Sequence, residues 1–185
     1  MIIAITGKKG SGKDTFADII VNEYDFIKYR FGDDIKLIVE QLYGNKKDIE
    51  DENRNIIPID FFQKLGTKYI QNIFPKTFPN IFNKCNIDNK EFWLKKFELW
   101  YLNEKKNKKI FFVVISDLRF IHEYNYIKKL GGYIIKIERD NLNDNINTEH
   151  ISENELDNFT NDKFNYVIKN NGSINDLENI VKKIM

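Results

Sequence analysis

The chain has 185 residues, enough for one α/β or α+β domain with a sizeable core. Its 42% hydrophobic and 14% aromatic content argues against disorder, and 29 basic residues against 28 acidic ones leave a formal charge of +1. That balance excludes a protein that coats nucleic acid through a broad basic surface, and the single cysteine, Cys85, excludes a disulfide framework or a zinc cluster of several thiolates.

Met1-Ile2-Ile3-Ala4-Ile5 turns polar and glycine-rich within a few residues, and no later run approaches the length of a spanning helix. The expectation is a soluble, intracellular protein with no membrane or nucleic-acid partner. Ile2 to Thr6 reads as a short buried strand, followed by a helix from Lys13 to Tyr24 with Phe16, Ala17, Ile20 and Tyr24 at helical spacing. Phe26 to Phe31 alternates as a second strand, and Asp34 to Tyr43 forms a helix with Ile35, Val39 and Leu42 on one side, stopped at Gly44. Pro58 can open a helix through Phe62, Leu65 and Tyr69. A further helix runs from Phe92 to Tyr101, its aromatic residues read as core.

Ile110 to Ile115 is six apolar residues without alternation, as expected of a parallel strand buried on both faces. A helix from Phe120 to Leu130 ends at Gly131-Gly132, and Tyr133 to Ile137 is the next strand. Phe164 to Ile168 is the last, and Ser173 can N-cap a closing helix through Ile174, Leu177, Val181 and Ile184. Strands alternating with helices predict an α/β fold with a parallel, doubly wound, five-stranded sheet in a single domain over 1–185. The helical stretch of about 45–109 is then an insertion, and the polar stretch 139–162 reads as mobile.

Gly7-Lys8-Lys9-Gly10-Ser11-Gly12-Lys13-Asp14-Thr15 is a G-x-x-x-x-G-K loop between the first strand and the first helix, the setting a phosphate loop requires. Its glycines let backbone N–H groups turn inward around a phosphate, the helix N-terminus adds its dipole, and Lys13 can reach the β- and γ-phosphates. The usual Ser or Thr after the lysine is replaced by Asp14, with Thr15 one place later. A carboxylate beside phosphates needs a shared hard cation, so the pattern calls for a divalent metal, with Asp14, Thr15 and Asp117 as candidate ligands.

The buried strand ends in Ser116-Asp117-Leu118-Arg119, an apolar strand closed by a carboxylate in the manner of a Walker B element. Arg119 can grip phosphate with a planar fork that lysine lacks. Glu123, four residues on, is spaced either to hold the Arg119 guanidinium or to form an exposed ion pair. With 25 Lys, 24 Asn and 29 Ile but 4 Arg and 2 Ala, the composition reflects A/T-rich codons, and arginines at strand ends stand out against it. Arg30, Arg119 and Arg139 fall there, on the edge where open α/β sheets bind ligands, whereas Arg54 reads as surface.

Taken in order, the GKDT form of the loop, Lys28-Tyr29 with Ile35-Lys36, Gln63-Lys64-Leu65-Gly66-Thr67 and Phe92-Trp93-Leu94 begin a longer pattern. It continues through Asp117-Leu118-Arg119 with Glu123, Gly131-Gly132, His150-Ile151-Ser152-Glu153 and Asn170-Asn171-Gly172-Ser173. The pattern resembles, over most of the chain, the deoxynucleoside monophosphate kinases of the bacteriophage type, which share a superfamily with animal-type phosphomevalonate kinase. The resemblance implies a three-layer P-loop kinase-like fold and ATP-dependent phosphorylation of a deoxynucleoside monophosphate, with Mg²⁺. It implies ATP phosphates on Gly7 to Thr15 and adenine near Asn171-Gly172, and Lys36, Gln63, Thr67 and Arg119 around the acceptor. Arg30 and Glu123 are counted with that acceptor site, and Arg139 with His150 to Glu153 would belong to the lid. Lys13, Asp117, Arg119 and Arg139 are the expected catalytic residues. Members of the family are often homodimers, and a large DNA virus, acting in its host's cytoplasm, would suit the A/T-rich composition. Two alternatives stay open: a kinase of phosphomevalonate or another small phosphate, and a P-loop ATPase or nucleotide switch.

Overall fold

The computed structural model describes residues 1–43, 61–62, 64–80, 91–108, 111–140 and 155–185. Two compact units emerge, Met1–Arg30 with Glu104–Met185, and Phe31–Asn103. The strands are β1 (Ile2–Thr6), β2 (Ile27–Tyr29), β3 (Val113–Ile115), β4 (Tyr133–Glu138) and β5 (Tyr166–Lys169). The α-helices are α1 (Lys13–Tyr24), α2 (Asp33–Tyr43), α3 (Phe74–Thr77), α4 (Phe92–Asn107), α5 (Ile121–Lys129) and α6 (Ile174–Ile184), with a π-wound segment at Lys64–Ile73. Among the described residues no helix is long and apolar enough to cross a membrane.

In the first unit the five strands are all parallel, in the order β2-β3-β1-β4-β5. β1 sits at the centre, Ala4 opposite Ile115 on one side and Ile134 on the other. Successive side chains of a strand point to opposite faces, so the sheet has two cores. On one face Ile3, Ile5, Val114, Ile135, Ile137 and Ile168 pack with Phe16, Ala17 and Ile20 of α1 and Leu177 and Val181 of α6. Ile2, Ala4, Val113, Ile115 and Ile134 point the other way and are equally buried. There Ile127 of α5 lies so close to Gly132 that a Cβ on that glycine would collide with it. Helices cover both faces, which gives the three-layer α/β arrangement and explains why β1 and β3 are apolar without alternation. Each fully buried Ile, Leu or Phe adds about 1.5–3 kcal/mol of transfer free energy.

The sequence reading differs from the structure mainly at strand ends. The paired part of β3 is Val113–Ile115 rather than Ile110 to Ile115; Phe112 contributes its carbonyl to Ile27 N–H at 2.9 Å, and Ile110 lies outside the described residues. β2 is also shorter than expected. β5 begins at Tyr166 because a 3₁₀ turn at Asn161–Lys163 first turns Phe164 into the core, and the Asn165 amide oxygen then accepts the Ile134 N–H at 2.9 Å. The closing helix starts where expected: Ser173 Oγ accepts the Asp176 N–H at 3.3 Å, while the Asp176 carboxylate accepts the Ser173 N–H at 2.8 Å.

The second unit is helical. Val39 of α2 and Trp93, Leu94 and Phe97 of α4 are in its core, together with Phe31 just before α2 and Ile70 of the π-wound segment. Phe31 and Phe97 meet edge to face at 5.7 Å, and the Trp93 indole N–H reaches the Gly66 carbonyl at 3.4 Å. The Ile35 side chain of α2 packs directly against Gly66, so a side chain there would have to displace its Cδ1 methyl. Lys96 and Asp34 add an ion pair between the same helices. The aromatic run of α4 is core at Trp93 and Phe97, while Trp100 and Tyr101 pack on Phe97 from a half-exposed position. The expected start at Pro58 and stop at Gly44 lie outside the described residues.

Candidate active site

The phosphate loop joins β1 to α1 at the carboxyl edge of the sheet. Its path depends on glycine at two places. Gly7 (φ +142°) runs against the Ile137 carbonyl of β4, and Gly12 (φ +98°) against the Asn170 amide, so a Cβ at either would collide. Asn170 is buried, and its amide donates to the Ser11 carbonyl at 2.8 Å, fixing the loop from below. The Ser11 N–H turns back to the Lys8 carbonyl at 3.2 Å, and the first helical bond runs from Phe16 N–H to Gly12 O at 2.9 Å. Ser11 Oγ is buried with no hydrogen-bond partner. Lys13 folds back, its ammonium donating to the Lys8 carbonyl at 2.7 Å. A tight cradle with an orphaned hydroxyl at a helix N-terminus fits a phosphate group.

Asp14, in the first turn of α1, faces the ends of β2 and β3. The Ser116 hydroxyl donates to its Oδ1 at 2.9 Å, the Lys28 ammonium stands 3.4 Å away and the Arg30 guanidinium 3.8 Å. Partial desolvation pushes the Asp14 carboxyl up, but the Ser116 hydrogen bond, then the Arg30 and Lys28 charges, outweigh it and hold it below the usual carboxylate range. Lys28 also binds Asp18, one helical turn further on, at 2.8 Å, and so bridges two like charges on one face of α1. An ionised, largely exposed carboxylate beside a hydroxyl is a hard oxygen donor set, which suits Mg²⁺. Among the described residues no group of three His, Cys, Asp or Glu stands together.

After β3 the Leu118 N–H bonds to the Ile5 carbonyl at 3.1 Å, and the Leu118 side chain is buried. Its neighbours Asp117 and Arg119 are half-exposed at the same edge. Glu123 differs from expectation. It is 1% exposed, and its Oε2 accepts the backbone N–H of Arg119 at 2.9 Å and of Phe120 at 3.1 Å. The carboxyl therefore acts on the main chain at the start of α5 and forms no exposed ion pair. Burial pushes it up to about 8, against the pull of those two amides.

Arg139 is exposed just past β4. The Asn171 amide donates to the Asp140 carboxylate at 2.7 Å and accepts the Asp140 N–H at 2.9 Å. Gly172 lies against the Asp176 carboxylate that caps α6. Thus the first unit brings together Gly7 to Thr15 with Arg30, and carries Asp117, Arg119, Arg139, Asn171 and Gly172. Lys36 on α2 and Thr67 on the π-wound segment belong to the second unit. Gln63, His150 and Glu153 lie outside the described residues, as does most of the expected lid. Sequence reasoning gave no role to Ser116 or Asn170; the one signal is for Ser116, a polar residue directly after the apolar strand β3.

A family model described as deoxynucleotide monophosphate kinase matches residues 1–73 and 60–181. A protein of Acanthamoeba polyphaga mimivirus, named by inference as a deoxynucleotide monophosphate kinase, is 33% identical over 191 residues, covering 95% of this chain and 91% of its own. Among solved structures, dephospho-CoA kinase from Campylobacter jejuni is similar with a TM-score of 0.46 at 19% identity, covering 99% of this chain and 94% of that one. Shikimate kinase from Aquifex aeolicus is similar with a TM-score of 0.44 at 14% identity, covering 100% and 93%.

Proposed function

The chain belongs to the deoxynucleotide monophosphate kinase family, and on that premise we propose how its residues transfer a phosphoryl group from ATP to a deoxynucleoside monophosphate. The observation that carries the proposal is the phosphate loop pinned between strand ends, with Lys13, Asp14, Asp117 and Arg119 on one edge of the sheet.

Phosphoryl transfer asks for two anions held in line, their charge neutralised and water kept away. Gly7 to Thr15 hold the ATP phosphates with inward N–H groups. Lys13 leaves the Lys8 carbonyl for the β- and γ-phosphates, exchanging a neutral acceptor for an anionic one, a bond roughly twice as strong. Mg²⁺ bound with the nucleotide would be held by Asp14, with Thr15 and Asp117 as further oxygens, and would neutralise charge on the phosphates. Arg119, helped by Arg30, holds the acceptor phosphate, and Lys36 and Thr67 are the second unit's candidates for binding the nucleotide. Arg139, exposed just past β4, balances charge on the transferring group. The acceptor oxygen is already an ionised phosphate, so no strong general base is needed, and Asp117 serves in positioning.

A coupled ADP-release assay against the four common deoxynucleoside monophosphates, phosphomevalonate and no acceptor tests the reading. Turnover with at least one nucleotide and none with phosphomevalonate is expected. Release without any acceptor would make the chain an ATPase, and a preference for phosphomevalonate would replace the acceptor. Arg119→Lys keeps the charge but loses the fork, and should lower kcat/KM for the acceptor roughly ten- to a hundredfold. Steady-state kinetics at saturating ATP measure this; an unchanged value removes Arg119 from the acceptor phosphate.

A further inference from the structure

Three strand ends meet at the phosphate loop. β1 runs into it at Gly7, which touches the Ile137 carbonyl of β4. From β5, Asn170 sends its backbone N–H to the Glu138 carbonyl at 2.8 Å and its side-chain amide to Ser11 at 2.8 Å, so this buried residue ties β4 and the loop together. The next residue, Asn171, forms a closed pair of hydrogen bonds with Asp140, at 2.7 and 2.9 Å. Arg139 lies between Glu138 and Asp140, so its main chain is fixed on both sides by the Asn170-Asn171 dipeptide.

We propose that Asn171 is a positioning residue for phosphoryl transfer: with Asn170 as its fixed point on the phosphate loop, it holds Asp140 and thereby sets where Arg139 projects. The inference deepens the proposed reaction and rests on Arg139 acting on the transferring group. The pairing is of a kind that can be rebuilt. In Asn171→Asp the donor to Asp140 is lost and two carboxylates are brought together, while the added change Asp140→Asn returns a donor and an acceptor to the same two places.

The test measures kcat and both KM values for the full chain, with ATP and the best deoxynucleoside monophosphate, in the wild type, Asn171→Asp, Asp140→Asn and the double variant. Asn171→Asp should lose at least about tenfold in kcat with KM for ATP changed less than about threefold, and the double variant should return to within about threefold of the wild type. A rise in KM for ATP at unchanged kcat would mean that the amide contacts the adenine base, and would overturn the inference. So would failure of the double variant to recover, or wild-type kinetics in Asn171→Asp. A wild-type chain that turns over no acceptor overturns the reaction itself, whereas an active wild type with an indifferent Asn171→Asp overturns this inference alone.

Discussion

Lys13→Ala should cut turnover by roughly 10²–10³-fold, about 3–4 kcal/mol of barrier, while leaving the thermal midpoint almost where it was. The two halves of this expectation have separate grounds. In the resting chain the ammonium makes a 2.7 Å bond to the Lys8 carbonyl at an exposed position, where water replaces it at little cost. The loop itself is held by other contacts, the Asn170 amide on Ser11 and the Gly7 and Gly12 turns, none of which uses the Lys13 side chain. With nucleotide bound, the same ammonium has to balance charge that grows on the β–γ bridge as it breaks, and no neighbouring neutral group can substitute. Steady-state turnover alongside thermal unfolding checks both halves. Retention of most activity would sink the role given to Lys13, and a collapsed midpoint would show that the lysine holds the loop.

The parts of the site legible in the sequence are those that local chemistry encodes. β1, the glycine-rich turn and α1 follow one another within 24 residues, and each glycine with a required backbone angle announces itself as a glycine. The Ser116 to Asp14 hydrogen bond joins residues 102 apart, and the Asn170 to Ser11 bond joins residues 159 apart, so neither could be read without the strand order that brings them together. Strand order is a tertiary property: β1 lies between β3 and β4 although it comes first in the chain. Glu123 is a middle case. Its spacing from Arg119 was visible and the two do interact, but through the backbone N–H, because a glutamate three residues after the residue that opens a helix reaches back to that residue's amide. The helix start is a local signal, and Phe120 hides it by having no side-chain oxygen of its own to offer. Strand ends were over-read for a simpler reason: apolar character continues through Phe111 and Phe112, whereas the ladder extends only as far as neighbouring strands supply partners.

Glu123 also makes stability depend on pH in a direction opposite to that of most carboxylates. Burial pushes its carboxyl up to about 8; the Arg119 and Phe120 amides pull the other way, Asp117 adds to the rise and Arg119 offsets part of it. In the unfolded chain the group ionises near its ordinary value of 4.5, so between that pH and about 8 the folded state keeps a proton that the unfolded state has lost. The stability from the neutral carboxyl is thus fully present below 4.5 and is lost as pH rises through about 8, on the order of a few kcal/mol. Glu123→Gln supplies a permanently neutral group whose oxygen can still accept both amides. It should match the wild type at pH 5, exceed it at pH 9 and flatten the profile between them. Glu123→Ala removes the acceptor altogether and strands two N–H groups at the root of Arg119, costing roughly 1–3 kcal/mol for each at every pH. Because those amides fix the turn that carries Arg119, the alanine variant should also lose acceptor affinity, which the glutamine variant should keep. Denaturant unfolding from pH 5 to 9 distinguishes the three chains; a Glu123→Gln curve with the wild-type slope would mean that the buried carboxyl is ionised in the fold, and that its two amides, rather than its burial, decide its charge.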